Sequence, residues 1–322
     1  MRAVVVSEPG GPEVLRVVDR EAPAPGPREV VVDVAAAGVN FMDIYSREGR
    51  PPYGRQTPFV PGSEGAGTVR AVGGEVFEIR VGDAVAWTGV PGSYAEQVAV
   101  PADRAVPVPP GVEVTTAAAV MLQGCTAHYL ATSTWPVSGG EVAVVHAAAG
   151  GVGLLLTQIV RLRGGVVVAT TSGGEKAELA SGAGAQHVAG YGDFLQVVRE
   201  VTDGAGADVV YDGVGKATFD DGLTALRRRG LMVLYGAASG PVPPVDPARL
   251  MTGGSLHLTR PTLGDYIVSR DELVARTDEL FGWIADGTLT VRVGGTCRFT
   301  DAATAHQDLA ARRTTGKLLL IP

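Results

Sequence analysis

Cysteine is scarce in this chain: two in 322 residues, Cys125 and Cys297, far apart in sequence. That pattern gives no disulfide framework and no thiolate metal cluster, and it fits a reducing, cytoplasmic setting. Lysine occurs three times, at Lys176, Lys216 and Lys317, and the 27 basic residues are scattered among 34 acidic ones for a net charge of −7. Nucleic acid is therefore not expected as a partner. No apolar run reaches the roughly eighteen residues of a membrane span. The stretch Val142–Leu156 is broken by His146 and several glycines. The opening M-R-A-V-V-V-S has too short an apolar run for a signal peptide and reads as a first strand.

Glycine, by contrast, is abundant, with 45 residues. The composition is that of an ordinary core-forming protein, and the length predicts about two domains. Residues 1–110 read as β: Val-rich runs at Ala3–Val6, Val30–Ala36, Gly67–Val72, Ala84–Trp87 and Glu96–Val100 alternate with Gly/Pro turns, as in a small barrel. The character changes near Val114. Thr115–Leu130 is Ala-rich and helix-permissive, and strand and helix patterns then alternate from Val142 to Tyr235. Such alternation predicts a doubly wound parallel sheet. A helix over Asp271–Ile284 and strands at Val291–Arg298 and Lys317–Ile321 are expected to rejoin the first domain.

The loop A-A-A-G-G-V-G, Ala147–Gly153, follows the apolar strand Val142–His146 and opens an apolar helix. Small residues there permit a tight turn, close approach of a pyrophosphate and helix–strand packing, and the free N–H groups at the helix start favour an anion. Ala149, Gly150, Gly151, Val152 and Gly153 are the expected phosphate-contacting residues. An Asp or Glu about twenty residues on would hold the ribose diol of NAD. Here that strand ends in Thr170-Thr171-Ser172, with Lys176 just beyond. Thr171, Ser172 and Lys176 suit a 2′-phosphate, so the expected cofactor is NADPH. The stretch G-V-G-K-A-T, Gly213–Thr218, lacks the Ser/Thr and the earlier glycine of a P-loop, and reads as another strand-end loop of the same sheet.

Several blocks taken together resemble the zeta-crystallin-like, zinc-independent quinone oxidoreductases of the medium-chain dehydrogenase/reductase superfamily. They are A-A-G-V-N-F-M-D-I-Y (Ala36–Tyr45), P-G-S-E-G-A-G-T-V (Pro61–Val69), Q-G-C-T-A-H-Y-L (Gln123–Leu130), V-H-A-A-A-G-G-V-G (Val145–Gly153), Y-D-G-V-G (Tyr211–Gly215), S-L-H-L-T-R-P-T-L (Ser255–Leu263) and the final T-G-K-L-L-L-I-P. The resemblance implies a GroES-like catalytic domain over residues 1–120 and 264–322. It implies an NADP-binding Rossmann domain over 121–263 and a homodimer paired through an edge strand near Ser255–Thr259. Where zinc-containing relatives carry Cys and His, this chain has Asn40 and Ser63, both poor zinc ligands. No metal is expected, and Asp43 and Glu64 are expected to act as hydrogen-bonding structural acids.

Without a metal, donors must stabilise the negative charge that builds on the substrate oxygen. The resemblance places Asn40, Tyr45 and Tyr53 at the reacting end, with Asn40 donating to the nicotinamide side or the substrate. It places Thr126 near the nicotinamide ribose, Tyr191 and Lys176 around the 2′-phosphate and adenine, and Arg312 at the cofactor. Gly215, Tyr235, Gly236 and Ser239 line strand ends where such folds bind ligands. His146 reads as a packed core histidine. The expected activity is NADPH-dependent reduction of quinones or related conjugated carbonyls. A 2-alkenal or enoyl-thioester reductase is the alternative, and a non-catalytic or RNA-binding role is the reading from another class.

Overall fold

A computed structural model describes residues 1–322. The chain forms two compact units, residues 1–125 with 267–322, and residues 126–266. In the first, β1 (Arg2–Val6) and β2 (Leu15–Asp19) form a separate antiparallel pair. The larger sheet is built around β3 (Glu29–Val39), an eleven-residue strand of mostly β-branched and small residues, types that fit a pleated surface buried on both faces. It pairs antiparallel with β4 (Glu64–Val72), with β6 (Gln97–Pro101) and, from the far end of the sequence, with β15 (Lys317–Ile321). β5 (Ala84–Thr88), β7 (Val106–Pro107) and β14 (Val293–Arg298) complete the sheet. Its core gathers Val30, Val32, Val69, Trp87, Tyr94, Val100 and Leu320.

After β3 the chain turns directly into a short helix. Asn40, in an extended conformation, ends β3 and caps a short helix, α1 (Phe41–Arg47), while Asp43 accepts the Asn40 backbone N–H at 2.9 Å. The Asp43 N–H in turn donates to the Asn40 backbone oxygen at 3.1 Å, and the carboxylate satisfies a donor at the helix start that would otherwise be buried unpaired. The long helix α2 (Val114–Tyr129) ends in a wider π-type turn over Leu130–Thr134, where Trp135 N–H reaches Leu130 O. Two elements absent from the sequence reading, β2 and a C-terminal helix over Ala302–Ala310, also belong to this unit.

The second unit alternates β8 (Val142–Val145), α3 (Gly151–Leu162), β9 (Val166–Thr170), α4 (Glu175–Gly182), β10 (His187–Ala189), α5 (Phe194–Val201), β11 (Ala207–Asp212), α6 (Phe219–Ala225), β12 (Leu226–Leu234), α7 (Ala248–Thr252) and β13 (His257–Thr259). The sheet order is β10-β9-β8-β11-β12-β13, all parallel. Chain order reverses between β8 and β11, and ligands of such sheets bind beyond the strand ends at that reversal. Strand β12 starts at Leu226 and includes the arginines at 227–229, and Arg227 is held by Asp208 at 2.6 Å.

Candidate functional site

The loop after β8 occupies the reversal point. His146 N–H donates to Tyr211 O (3.1 Å), Ala148 N–H to Thr170 O (3.1 Å) and Gly150 N–H to Ala147 O (2.9 Å). Gly150 caps the twelve-residue α3 without any side-chain acceptor. The first-turn N–H groups of Gly151, Val152 and Gly153 therefore face outward at the positive end of the helix dipole. Ala149 is buried beside them. A Cβ on Gly153 would lie 2.5 Å from Ala147 O and 2.7 Å from Ala148 Cα. Only glycine lets the helix come this close to its own loop. The residues present thus fit a pyrophosphate.

At the end of β9, Thr171 is buried. Its N–H donates to Ala189 O at 3.1 Å and its hydroxyl accepts Gly173 N–H at 3.1 Å. Gly173 and Gly174 take left-handed conformations (φ 87° and 57°), so the backbone swings out and leaves Ser172 exposed just before Lys176 in the first turn of α4. Glu175 and Glu178 share that first turn. Tyr191 follows β10, about a third exposed, with its ring stacked 6.1 Å from that of His146.

The loop after β11 is organised by a residue that the sequence did not single out. Asp212, fully buried, accepts Val214 N–H (2.7 Å), Gly215 N–H (2.9 Å) and the Thr218 hydroxyl (2.8 Å). Ser239 joins the next loop to it, accepting Ala217 N–H (2.9 Å) and donating to Val214 O (2.8 Å). Gly215 is left-handed (φ 90°), and Gly236 packs against Gly213. A side chain on Gly213 would meet the Tyr235 phenol at 2.8 Å, so the absence of one leaves room for that ring. His146 is fully buried; its Nδ1 pairs with the Thr170 hydroxyl at 2.8 Å, whereas Nε2 has no partner in the chain. Burial pushes its pKa down, only partly countered by the Asp212 carboxylate.

In the first unit, Asn40 sits in a buried polar cluster. Its Nδ2 donates to Glu64 Oε1 at 2.7 Å and its Oδ1 accepts from Lys317 Nζ at 2.8 Å. Lys317 also donates to Glu64, and Leu122 N–H donates to Glu64 Oε2 at 2.7 Å. Glu64 and Lys317 are almost wholly buried and Asn40 is 6 % exposed. Glu64 and Asp43 are thus hydrogen-bonding acids. Asp43 also accepts from the Tyr94 hydroxyl at 3.0 Å, and Tyr94 contacts His306 Nε2 at 3.2 Å. Burial pushes the Asp43 carboxyl up to about 6, against the pull of the Asn40 N–H and Lys317. His306 is pushed down to about 3 by burial and by the Arg47 guanidinium beside it. Ser63 Oγ and Gln123 Oε1 are buried polar atoms without a partner in the chain.

Tyr45 lies on α1, with its ring 5.5 Å from that of Tyr53 and the Arg50 guanidinium 5.5 Å from its centroid. Thr126 is buried on α2, and Arg312 follows the C-terminal helix with a left-handed backbone (φ 57°). No group of three or more His, Cys, Asp or Glu side chains is arranged to hold a metal ion. Burial raises both cysteine thiols, Cys125 to about 12, so neither is a thiolate near neutral pH.

Comparison with known proteins agrees with this geometry. Residues 26–110 match the alcohol dehydrogenase GroES-like domain and residues 151–278 match the zinc-binding dehydrogenase family. A quinone oxidoreductase of Pseudomonas aeruginosa is 45% identical over 319 residues, covering 97% of each chain. A 2-haloacrylate reductase of Burkholderia sp is 38% identical, covering 99% of this chain and 98% of that protein. The structure of Escherichia coli quinone oxidoreductase complexed with NADPH superposes with a TM-score of 0.97 at 38% identity, covering all of both chains.

Proposed function

The chain belongs to the quinone oxidoreductase family of the medium-chain dehydrogenases, and from that premise we propose that it reduces quinones or related conjugated carbonyls with NADPH, without a catalytic metal. The observation that carries the reading is the uncapped N-terminus of α3 beside a β9 end that presents Ser172 and Lys176 where NAD-specific folds have a carboxylate. Gly151, Val152 and Gly153 hold the pyrophosphate. Ser172 and Lys176 hold the 2′-phosphate, with Tyr191 against the adenine. Gly215, Tyr235, Gly236, Ser239, Thr126 and Arg312 complete the cofactor contacts.

Bound NADPH supplies a hydride, that is, two electrons and one proton. The chain's part is to orient the acceptor and to stabilise the charge that develops on its oxygen. Asn40 donates a side-chain N–H to that oxygen, and Tyr45 and Tyr53, already in ring contact, form an aromatic wall for a planar ring. A second proton, from solvent, completes the hydroquinone. The similarity to a reductase of haloacrylates favours a second substrate class, conjugated C=C bonds, for which the same donor stabilises an enolate. We assign homodimerisation to the unpaired edge of β13 in a reducing, cytoplasmic setting. Sedimentation showing monomer alone would reject that assignment.

The test is NADPH oxidation by purified, chelator-treated protein with a quinone panel beside a 2-alkenal, a 2-haloacrylate and a 2-enoyl thioester, and NADH as control. Turnover of quinones with NADPH is expected. Reaction with the alkenal, haloacrylate or thioester alone would move the substrate class. Equal use of NADH would overturn the role given to Lys176, and loss of activity on chelation would overturn the metal-free reading.

A further inference from the structure

We propose that Lys317 and Glu64 are positioning residues that fix the side-chain amide of Asn40 in one orientation and strengthen its second N–H as a donor. The inference rests on the reading of Asn40 as the substrate-facing donor.

The geometry is specific. An asparagine amide can turn over with little change in shape, and only its partners decide which end is oxygen. Here the two partners are unambiguous. Lys317 has donors alone and meets Oδ1 at 2.8 Å; the Glu64 carboxylate accepts from Nδ2 at 2.7 Å. Turning the amide over would set nitrogen against ammonium and oxygen against carboxylate. One Nδ2 hydrogen is used on Glu64 at 2.7 Å; the nitrogen's other contact is a long one, 3.5 Å to Gly38 O, which a ligand oxygen can replace. The ammonium on Oδ1 draws electron density from the amide and makes that second N–H a stronger donor.

Burying this ion pair is costly, and a buried pair seldom adds stability over a well-packed apolar one. The chain nonetheless makes room for it. A Cβ on Gly38 of β3 would come within 2.6 Å of both Glu64 Cδ and Lys317 Cε. Glu64 is in turn anchored by Leu122 N–H at 2.7 Å. The pair fits a role in aiming Asn40 better than a role in holding the fold.

Two composition facts make the test direct: Asn40 is the only asparagine of the chain, and Lys317 is one of three lysines. Asparagine-selective ¹⁵N labelling therefore gives a single side-chain amide signal. Lys317→Met alone strands a buried carboxylate, so the double variant Lys317→Met/Glu64→Gln, which removes both charges, is measured beside Lys317→Arg. In the double variant the Asn40 amide signal is expected to shift. With a quinone, kcat is expected to fall about 100-fold while the NADPH Kd, read by fluorescence titration, stays within twofold. Lys317→Arg is expected to recover most of kcat. A folded double variant with an unmoved Asn40 signal overturns the inference, as does a kcat within threefold of wild type. If the wild type reduces no acceptor at all, the proposed function fails, and the amide signal alone still decides whether the pair orients Asn40.

Discussion

Two side chains, Asn40 and Lys176, are central to the proposed chemistry, and each can be removed singly. Replacing Asn40 by Ala would delete the proposed donor to developing charge, a change that costs roughly 100- to 1,000-fold in kcat at comparable sites. The NADPH Kd is expected to stay near that of wild type, and steady-state kinetics beside a binding titration would show the split. Replacing Lys176 by Ala would remove the proposed charge-assisted contact to the 2′-phosphate, worth about 1.5–3 kcal/mol. The KM for NADPH should therefore rise at least tenfold while that for NADH does not move; a parallel rise for both would deny Lys176 its phosphate. Asn40 and Lys176 stand out in the sequence as candidates because each lies in a short motif. Lys317 does not, because its partners Asn40 and Glu64 lie 277 and 253 positions away and no local pattern records such a contact. Asp212 escaped for a related reason: its three hydrogen bonds reach only the next few residues, yet they form only when β11 ends where it does.

At the scale of elements, the glycine loop and the start of α3 are closely packed. A methyl group on Gly153 would press against Ala147 and Ala148 backbone atoms that cannot turn aside. Gly153→Ala is expected to cost about 1–3 kcal/mol, the usual range for overpacking, and to weaken NADPH binding as the helix start moves away from the phosphates. Denaturant unfolding and fluorescence titration would show both, and unchanged values in both would mean that the close packing is not needed. The β–α alternation was readable because β8, β9 and β11 are short Val-rich runs with glycines close by in sequence. Helix α1 was not, since seven residues show too little periodicity. Its start signal is Asn40 followed three residues later by Asp43, a weaker form of the usual Ser/Thr-x-x-Glu box.

Over the whole molecule, two buried groups give opposite responses to acid. His306 stays neutral in the folded protein down to about pH 3, whereas the unfolded chain protonates it near 6.5. Stability is therefore lost as pH falls through that window. Asp43 keeps its proton in the folded state up to about pH 6, although the unfolded carboxyl loses it near 3.8, so its contribution declines as pH rises from 3.8 to 6. Between about pH 4 and 6 the two offset one another. Asp43→Asn removes one of them, and the variant's unfolding free energy should then drop by about 1.4 kcal/mol per pH unit more steeply than wild type on acidification. Parallel slopes in urea titrations at pH 4, 5 and 6 would refute the assignment. The division into two units follows in the sequence from the change of character near Val114, but the pairing of β15 with β3 follows from nothing local.

That pairing has a consequence for how the protein is made. A ribosome releases residues 126–266, with all six strands of their sheet, before it releases the strand that lies along β3. The unit that begins first is thus finished last, against the usual order in which N-terminal domains fold first during synthesis. Until Lys317 emerges, Glu64 has no cation to share its burial and β3 shows an open edge to its neighbours on the polysome. The order of synthesis thus makes residues 126–266 available to fold while the first unit still lacks β15.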